Sequence, residues 1–228
     1  MALINILRVN VEPGAATNYE RGVRWLTGAA QASSDVFKWT ARTSQSSEGL
    51  VYSFSTRAET YAELLAVEPV PDLARRLLGE GDGNAFLELV GTGVRSNSST
   101  IIRSREDLTT AAQRSEPAPL ALVTRVRVAL VGQRAFEDLI RKVNEAAIKL
   151  NEKRDVFVWQ TAIGDMSQYG ILQAIDSPGD LDDRKPPQEL LAVAFGEEGE
   201  QVFQAAAPHV QEVLSALSIY RPDLSNQS

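Results

Sequence analysis

The chain has 228 residues, 43% of them hydrophobic, and a formal net charge of −7 at pH 7. This length predicts one large or two small globular domains. The acidic balance, without a basic cluster, argues against a nucleic-acid partner, because phosphate binding needs a face of lysines and arginines. The absence of cysteine excludes disulfides, a thiolate nucleophile and a sulfur-ligated metal. We see neither a signal-peptide pattern nor an apolar run long enough to span a membrane, so we expect a soluble cytoplasmic protein.

Hydrophobic periodicity predicts a mixed α and β structure in the first half of the chain. Apolar residues that alternate with polar ones favour strands, and those that recur at three or four residues favour helices. The predicted elements are, in order, a strand (4–11), a helix (16–32), strands (35–43 and 49–55), helical segments (58–67, 72–78 and 86–90) and a short strand (99–103). We expect the glycine-rich residues 79–83 to form a turn between two helices.

The second half follows the same order. Its predicted elements are a strand (122–131), a helix (135–150), strands (155–162 and 170–175), helices (187–195 and 200–214) and a closing strand (218–221). Five matches recur in the same order in both halves; one of them is residues 35–39, DVFKW, which return at 155–159 as DVFVW. The remaining matches include Glu63 to Val67 with Glu189 to Val193, and Arg105, Asp107 and Leu108 with Arg221, Asp223 and Leu224. We therefore predict two copies of one unit.

The predicted boundaries are 1–109 for the first unit, 110–119 for a linker and 120–228 for the second unit. The order of elements in each unit is β-α-β-β-α-β, which is the ferredoxin-like pattern. Two helices cover only one face of such a sheet. The other face carries too many apolar residues to be freely solvated, so we predict that the two sheets pack against each other.

In this order of elements the chain resembles a tandem member of the dimeric α+β barrel superfamily, which includes the antibiotic-biosynthesis monooxygenase-like proteins. The resemblance implies an α+β fold in which two ferredoxin-like repeats form one intramolecular barrel. It is a resemblance of topology, since no residue motif of a single subfamily is present. The catalytic residues therefore stay unknown at this stage.

Polar residues on the first strand of each unit are candidates for ligand binding. Arg8 and Asn10 align with Arg125 and Arg127. Inside the barrel these groups would bind an anionic or carbonyl-bearing ligand, because guanidinium suits carboxylates and enolates. The alternatives are that they pair with acids or lie at the mouth of the barrel.

Aromatic residues are a second set of candidates for the barrel interior. Trp39 aligns with Trp159 in the repeated pentamer, and the same alignment sets Tyr52 opposite Gln173. These four side chains would line the same space as the arginines. The alternative is that they pack in the cores of the two units, where aromatic side chains are common.

His209 is the only histidine, so a Ser-His-Asp triad or a multi-histidine metal site would depend on it. We place it on the last helix as a surface residue; the alternative is a haem ligand, as in the chlorite-dismutase-like proteins. Residues 79–84 lack the glycine and glutamate of an EF-hand and the Lys-Ser/Thr of a P-loop. Asp180, Asp182 and Asp183 read as a solvated loop. We predict no metal and no cofactor.

These observations support three hypotheses for function. The first is a cofactor-independent, monooxygenase-like enzyme that acts on an aromatic or polyketide-like substrate. The second is a ligand-binding protein without chemistry, and the third is a protein whose barrel serves assembly. The predicted partner is a small apolar or anionic ligand, with no nucleic acid and no membrane. The exposed helix faces would also allow two chains to pair as a homodimer.

Overall fold

The computed structural model describes residues 2–34, 36–46, 49–111, 114, 116–182 and 184–227. Asp35 of the first pentamer, Asp183 of the acidic loop and residues 112, 113 and 115 of the predicted linker lie outside these ranges. Along the described ranges, eight strands and seven α-helices alternate with short 3-10 turns. No helix of the described chain is both long and apolar enough to cross a membrane.

The first half contains four strands and four helices. They are β1 (Leu3–Val11), α1 (Ala16–Gln31), β2 (Thr40–Ser46), β3 (Gly49–Ala58), α2 (Tyr61–Leu65), α3 (Val70–Leu78), α4 (Glu80–Gly91) and β4 (Val94–Ser104). Thr60 starts α2 because its side chain accepts a hydrogen bond from the backbone N–H of Glu63. The buried residues Tyr19, Val23 and Leu26 of α1 recur at helical spacing, as predicted. Tyr19 and Val23 belong to the core that includes the strands, and Leu26 packs with residues of α3 and α4.

The second half repeats this order with one helix fewer. Its elements are β5 (Leu120–Val128), α5 (Gln133–Lys149), β6 (Val156–Ile163), β7 (Gln168–Ile175), α6 (Pro187–Phe195), α7 (Glu197–Ala206) and β8 (Val210–Tyr220). The strands are hydrogen-bonded in the order β1-β3-β2-β8-β5-β7-β6-β4 and close into a barrel. The predicted α+β class with a barrel is therefore confirmed.

The chain forms two compact units. The N-terminal unit contains Ala2–Ile102 together with Ser218–Ser228, and the C-terminal unit contains Arg103–Leu217. The last eleven residues thus complete the unit that begins the chain. The backbone N–H of Trp39 donates to the carbonyl of Asn226 at 2.9 Å, and Leu224 is fully buried in the core with Val9, Val11 and Tyr19.

The C-terminal unit is completed in the same way by the residues that follow β4. Leu108 is buried in its core with Val126 and Phe136, and the backbone N–H of Thr110 donates to the carbonyl of Val156 at 2.8 Å. Helices α5, α6 and α7 supply most of the remaining core of this unit, from Leu139 on α5 to Ala206 at the end of α7.

Three predicted elements were wrong in part. The second strand begins at Thr40 rather than at residue 35, and only Trp39 before it forms an isolated bridge. The glycine-rich residues 80–83 are helical, since α4 begins at Glu80 and the break is confined to Gly79. The helix predicted over 200–214 ends at Ala206, and residues 210–220 form β8. Pro208 and the β-branched Val210 and Val213 disfavour a longer helix.

Candidate ligand-binding site

The strand register defines which residues of the two units are equivalent. Val9 pairs with Tyr52 between β1 and β3, and Val126 pairs with Tyr169 between β5 and β7. Tyr169 is therefore the equivalent of Tyr52, and the sequence alignment of Tyr52 with Gln173 was wrong. By the same register, Phe136 is the equivalent of Tyr19, and Leu122 is the equivalent of Asn5.

A cavity of about 690 Å³ lies in the N-terminal unit, between the sheet and helices α1 to α4. Its wall is mainly apolar and aromatic. The sheet contributes Leu7, Val9 and Phe54, and the helices contribute Leu26 and Phe86 among others. Trp39 also lines the cavity, where its indole N–H donates to the carbonyl of Leu224 at 2.7 Å. Such a space suits a small, largely apolar molecule.

Tyr19 provides a polar group in the inner wall of the cavity. The residue is 5% exposed, and its ring packs on Tyr52 with 4.7 Å between ring centroids. The Tyr19 hydroxyl has no hydrogen-bond partner among the described residues, so a molecule in the cavity is free to accept from it. Burial, and secondarily the neighbouring Tyr52, raises the pKa of Tyr19 above its ordinary value. The hydroxyl is therefore neutral, and a donor, at physiological pH.

Polar side chains also line the opposite end of the cavity. Asn5 and Thr56 are partners in the register of β1 and β3, and both line the cavity with Asn97 of β4. The Asn5 Oδ1 accepts from the hydroxyl of Ser99 at 2.5 Å, which orients the amide. Asn97 is exposed, so this end of the cavity reaches the surface.

The single acidic residue of the wall is paired. The Glu68 Oε2 accepts from the Arg76 Nη2 at 2.8 Å and from its Nε at 3.0 Å, and the Glu68 Oε1 accepts from the Arg76 Nε at 3.2 Å. Glu68 is thus held at the rim by a bidentate ion pair. The cavity itself therefore presents neutral donors and acceptors rather than a free charge to a ligand.

A Tyr-Glu-Arg network lies beside the cavity in the N-terminal unit. The Tyr52 hydroxyl donates to Glu20 at 2.9 Å, and Arg221 donates to both oxygens of Glu20 at 2.5 Å and 2.7 Å. Arg24 and Asp223 extend the network. The hydrogen bonds from Arg221 are the main cause that lowers the pKa of Glu20 to about 2.

The C-terminal unit contains the equivalent network. The Tyr169 hydroxyl donates to Glu137 at 2.8 Å, and Arg105 donates to Glu137 and, at 2.8 Å, to Asp107. Hydrogen bonds from Arg105 lower the pKa of Glu137. In each unit the network joins the segment that follows β4 or β8 to the first helix of the unit, through Arg105 and Glu137 or through Arg221 and Glu20.

The structure separates the two predicted tryptophans. The backbone hydrogen bonds of Trp39 correspond to those of Val156 and not to those of Trp159. Val156 is therefore the structural equivalent of Trp39, and the sequence alignment of the two pentamers is shifted by three residues relative to the structure. Trp39 lies on the helix-covered face of its sheet. Trp159 lies on the other face of β6, where its ring covers Gly170 and packs on Phe157. The expectation that both line one space was therefore wrong.

The predicted polar candidates also occupy different environments. Arg125 and Arg127 are exposed, and Arg127 contacts Asp165 at 3.3 Å and Glu212 at 3.8 Å. Arg8 and Asn10 are half-buried on β1. Gln173 is 7% exposed on the helix-covered face of β7, and its buried Nε2 has no partner among the described residues. Of the eight predicted site residues, the cavity contacts Trp39.

No protein-family model and no curated protein matches this chain. Solved structures do match it over nearly its whole length. A proposed monooxygenase from Lactobacillus acidophilus NCFM is 8% identical with a TM-score of 0.56, covering 96% of this chain and 93% of that one. An anthrone oxidase-like protein is 13% identical with a TM-score of 0.57, covering 100% and 94%. Chlorite dismutase from Candidatus Nitrospira defluvii is 11% identical with a TM-score of 0.54, covering 97% and 92%.

The structural neighbours and the closed eight-stranded barrel indicate the same fold. The chain has the dimeric α+β barrel fold. At these identities the likeness concerns the fold, so the chemistry of this dimeric α+β barrel has to be argued from its own side chains.

Haem is the cofactor that chlorite-dismutase-like members of the dimeric α+β barrel fold imply, and His209 is its only candidate histidine ligand. His209 was predicted as a surface residue on the last helix; in the structure it ends the 3-10 turn before β8. Its side chain packs directly on the backbone of Gly132. It does not line the cavity, and no group of three or more metal-ligating side chains occurs in the described part of the chain. The residues around His209 do not fit a haem.

Sequence reasoning missed the residues that line this cavity. Tyr19 was recognised only as a helix position, and Asn5 only as the polar side of a strand. One signal was available: in the repeat, Tyr19 aligns with Phe136, so the hydroxyl is present in one unit alone. That difference points to a role for the hydroxyl beyond packing.

Proposed function

We propose that this protein binds a small, mainly apolar molecule in the cavity of its N-terminal unit. The observation that carries the proposal is the cavity itself: about 690 Å³, walled by aromatic and aliphatic side chains. Ligand sites commonly enclose about 300–1,000 Å³ with a few polar groups in an apolar wall. Tyr19, Asn5 and Thr56 supply those groups here.

Anthraquinone is a suitable probe because it is flat, apolar and uncharged. Trp39 lines the cavity, so a bound aromatic should quench its fluorescence. We expect saturable quenching in the wild-type protein and in a Trp25→Phe, Trp159→Phe background that leaves Trp39 as the only reporter. Quenching that does not saturate, or that persists unchanged in Trp39→Phe, would contradict binding in the cavity.

A substitution that fills the cavity should abolish this binding. Val67 lines the cavity, whereas Val193, its counterpart in the sequence repeat, is 56% exposed. We expect Val67→Trp to weaken anthraquinone binding at least tenfold and Val193→Trp to leave it unchanged. Circular dichroism and thermal melting of both variants check the fold. Equal effects of the two substitutions would argue against the cavity as the binding site.

The finer proposal is a cofactor-independent, monooxygenase-like reaction in the same cavity. Tyr19 favours it, because a neutral donor in an apolar wall stabilises the oxygen of an enolate or phenolate as charge develops there. The structural neighbours described as a monooxygenase and as an anthrone oxidase-like protein supply a substrate to try.

Anthrone and O₂ test the oxygenase proposal. The methylene of anthrone loses two hydrogens and gains one oxygen atom, while the second oxygen atom leaves as water. The expected result is one O₂ consumed per anthraquinone formed, faster than the uncatalysed reaction and at least tenfold slower in Tyr19→Phe. A rate equal to the protein-free control would leave ligand binding without chemistry as the function.

The alternative to small-molecule chemistry is an assembly role. Exposed apolar side chains in the C-terminal unit favour it: Leu130 is 71% exposed, Val131 is 88% exposed and Met166 is 51% exposed. If this surface pairs two chains as a homodimer, the double substitution Leu130→Ser, Val131→Ser should convert the dimer to a monomer in analytical ultracentrifugation. A wild-type monomer at all concentrations would contradict the assembly role.

A further inference from the structure

Two side chains of the C-terminal unit have buried N–H groups without an acceptor. Gln173 on β7 is 7% exposed, and its buried Nε2 makes no hydrogen bond to any described residue. Arg184, in the loop before α6, has a buried Nη1 that also lacks a partner among the described residues. A buried donor without an acceptor costs free energy, and an acceptor supplied by a ligand would recover it.

Comparison of the two units places these two side chains in the same region. Gln173 and Thr56 are equivalent in the structure, since each lies four residues after the equivalent tyrosine of its strand. Arg184 and Val67 are equivalent because each lies three residues before a helix of nine residues, α6 or α3. Thr56 and Val67 line one cavity in the N-terminal unit. Gln173 and Arg184 therefore occupy the corresponding region of the C-terminal unit.

Arg154 connects the loop before α6 with the strands. Its Nη2 donates to the carbonyl of Lys185, the residue after Arg184, at 2.6 Å. Arg154 also lies two residues before Val156, which pairs with Gln173 in the register of β6 and β7. Diagonal neighbours on adjacent strands are about 7–8 Å apart. The loop that contains Arg184 is therefore held beside the part of the sheet that contains Gln173.

The positive charges in this region are only partly balanced. The Glu152 Oε1 accepts from the Arg154 Nε at 2.8 Å and lies 2.7 Å from its Nη2, so Arg154 is neutralised. Arg184 forms no ion pair with any carboxylate of the described chain, and Asp180 is hydrogen-bonded to backbone N–H groups of its own loop. Burial lowers the pKa of Arg184, and the charge of Arg154 lowers it further. One buried guanidinium thus lacks a counter-charge in contact with it.

We infer that the C-terminal unit binds a small carboxylate between Arg184 and Gln173. One carboxylate oxygen accepts from the Arg184 Nη1 and the other accepts from the Gln173 Nε2. Guanidinium and primary amide groups both donate through planar N–H groups, which match the two oxygens of a carboxylate. The single negative charge balances Arg184, whereas a phosphate dianion would bring an excess of buried negative charge. This site does not involve the cavity of the N-terminal unit and does not depend on the proposed function.

Acetate, inorganic phosphate and chloride at equal ionic strength and pH 7 test the site in the full-length protein. The side-chain amide signal of Gln173 in ¹⁵N NMR spectra reports directly on the inferred contact, and Gln173→Thr assigns it by its disappearance. We expect acetate to shift this signal in a saturable way and to raise the midpoint of thermal unfolding above its value in chloride. Phosphate should bind more weakly than acetate.

Two variants introduce the residues that the N-terminal unit carries at the equivalent positions, Arg184→Val and Gln173→Thr. Arg184→Val should weaken acetate binding at least tenfold, because it removes a charged hydrogen bond, and Gln173→Thr should weaken it by about fivefold. Arg134→Val is the control, since it removes an exposed arginine of α5 and should leave acetate binding unchanged. Circular dichroism of each variant checks the fold.

Three results would overturn this inference. The first is the absence of a saturable acetate effect in the wild-type protein, or an equal loss of it in Arg184→Val and Arg134→Val. The second is tighter binding of phosphate than of acetate, which would exclude a carboxylate as the ligand. The third is a Gln173 signal that ignores acetate but moves in Arg184→Val, because the two side chains would then hydrogen-bond only each other.

Discussion

Glu20 accepts hydrogen bonds from three side chains of the N-terminal unit. They are Tyr52, Arg24 and Arg221, and Arg221 lies in the segment that ends the chain. The side chains of Glu20 and Arg221 are 19% and 20% exposed, so water screens the pair only in part. A hydrogen-bonded ion pair in this environment fixes the position of both partners.

The pKa of Glu20 predicts an acid-dependent loss of stability. Its folded-state pKa is about 2, below the ordinary value of 4.5, so its contribution is complete above pH 4.5 and is lost as the pH falls toward 2. We expect Glu20→Gln to lower the free energy of unfolding at pH 7 by about 1.5–3 kcal/mol. Urea unfolding at several pH values measures both effects.

The control for this prediction is Glu200→Gln, which changes an exposed carboxylate of α7. It should leave the pH dependence between 4.5 and 2 close to that of the wild type, whereas Glu20→Gln should reduce it. If the two variants share one pH profile, Glu20 is not the group that titrates.

Helices α3 and α4 differ from the sequence prediction because a single glycine separates them. Gly79 has φ 86° and ψ 161°, a conformation that is nearly confined to glycine, and the chain resumes helical geometry at Glu80. Gly83 then allows close contact of the two helices, since a Cβ there would lie 2.7 Å from the Cα of Arg75. Composition predicted a glycine-rich turn, but packing of α4 on α3 favours the helix.

Two alanine substitutions in this segment should have opposite effects. A Cβ at Gly79 meets no atom within 4 Å, so Gly79→Ala should cost only backbone strain, about 1–3 kcal/mol. Gly81 also has open space but lies within α4, so Gly81→Ala should stabilise by about 0.5–1 kcal/mol. Thermal unfolding of both variants checks the signs. Destabilisation by both would mean that residues 80–83 are not helical.

At the scale of the whole molecule, each compact unit includes a segment from beyond its own half of the sequence. Residues 218–228 belong to the N-terminal unit, and residues 103–111 belong to the unit that contains β5 to β7. The sequence repeat correctly matched these two segments with each other, since Arg105, Asp107 and Leu108 align with Arg221, Asp223 and Leu224. The repeat did not show which of the two units each segment belongs to. The predicted domain boundaries at 109 and 120 stay a prediction.

Leu224 tests this arrangement because it is fully buried in the core that contains Val9 and Trp39. We expect Leu224→Ala to destabilise the N-terminal unit by about 2–5 kcal/mol. Hydrogen exchange should then speed up in residues 2–102 more than in residues 120–217. Leu108→Ala, at the equivalent position, should show the reverse pattern. Faster exchange near residue 224 alone would contradict the assignment of the last segment to this unit.

The sequence by itself determined most of the order of strands and helices and the α+β class. Alternation of Leu7, Val9 and Val11, and the helical spacing of Tyr19 and Val23, are local patterns, and they survive in the fold because neighbours in the chain stay neighbours in space. Only the tertiary structure decided that Trp39 and Trp159 face different sides of their sheets. It also decided that the last segment joins the first unit, and that the cavity has Tyr19 at one end and Asn5 at the other. These features depend on strand register and on packing between residues far apart in sequence, which no local pattern encodes.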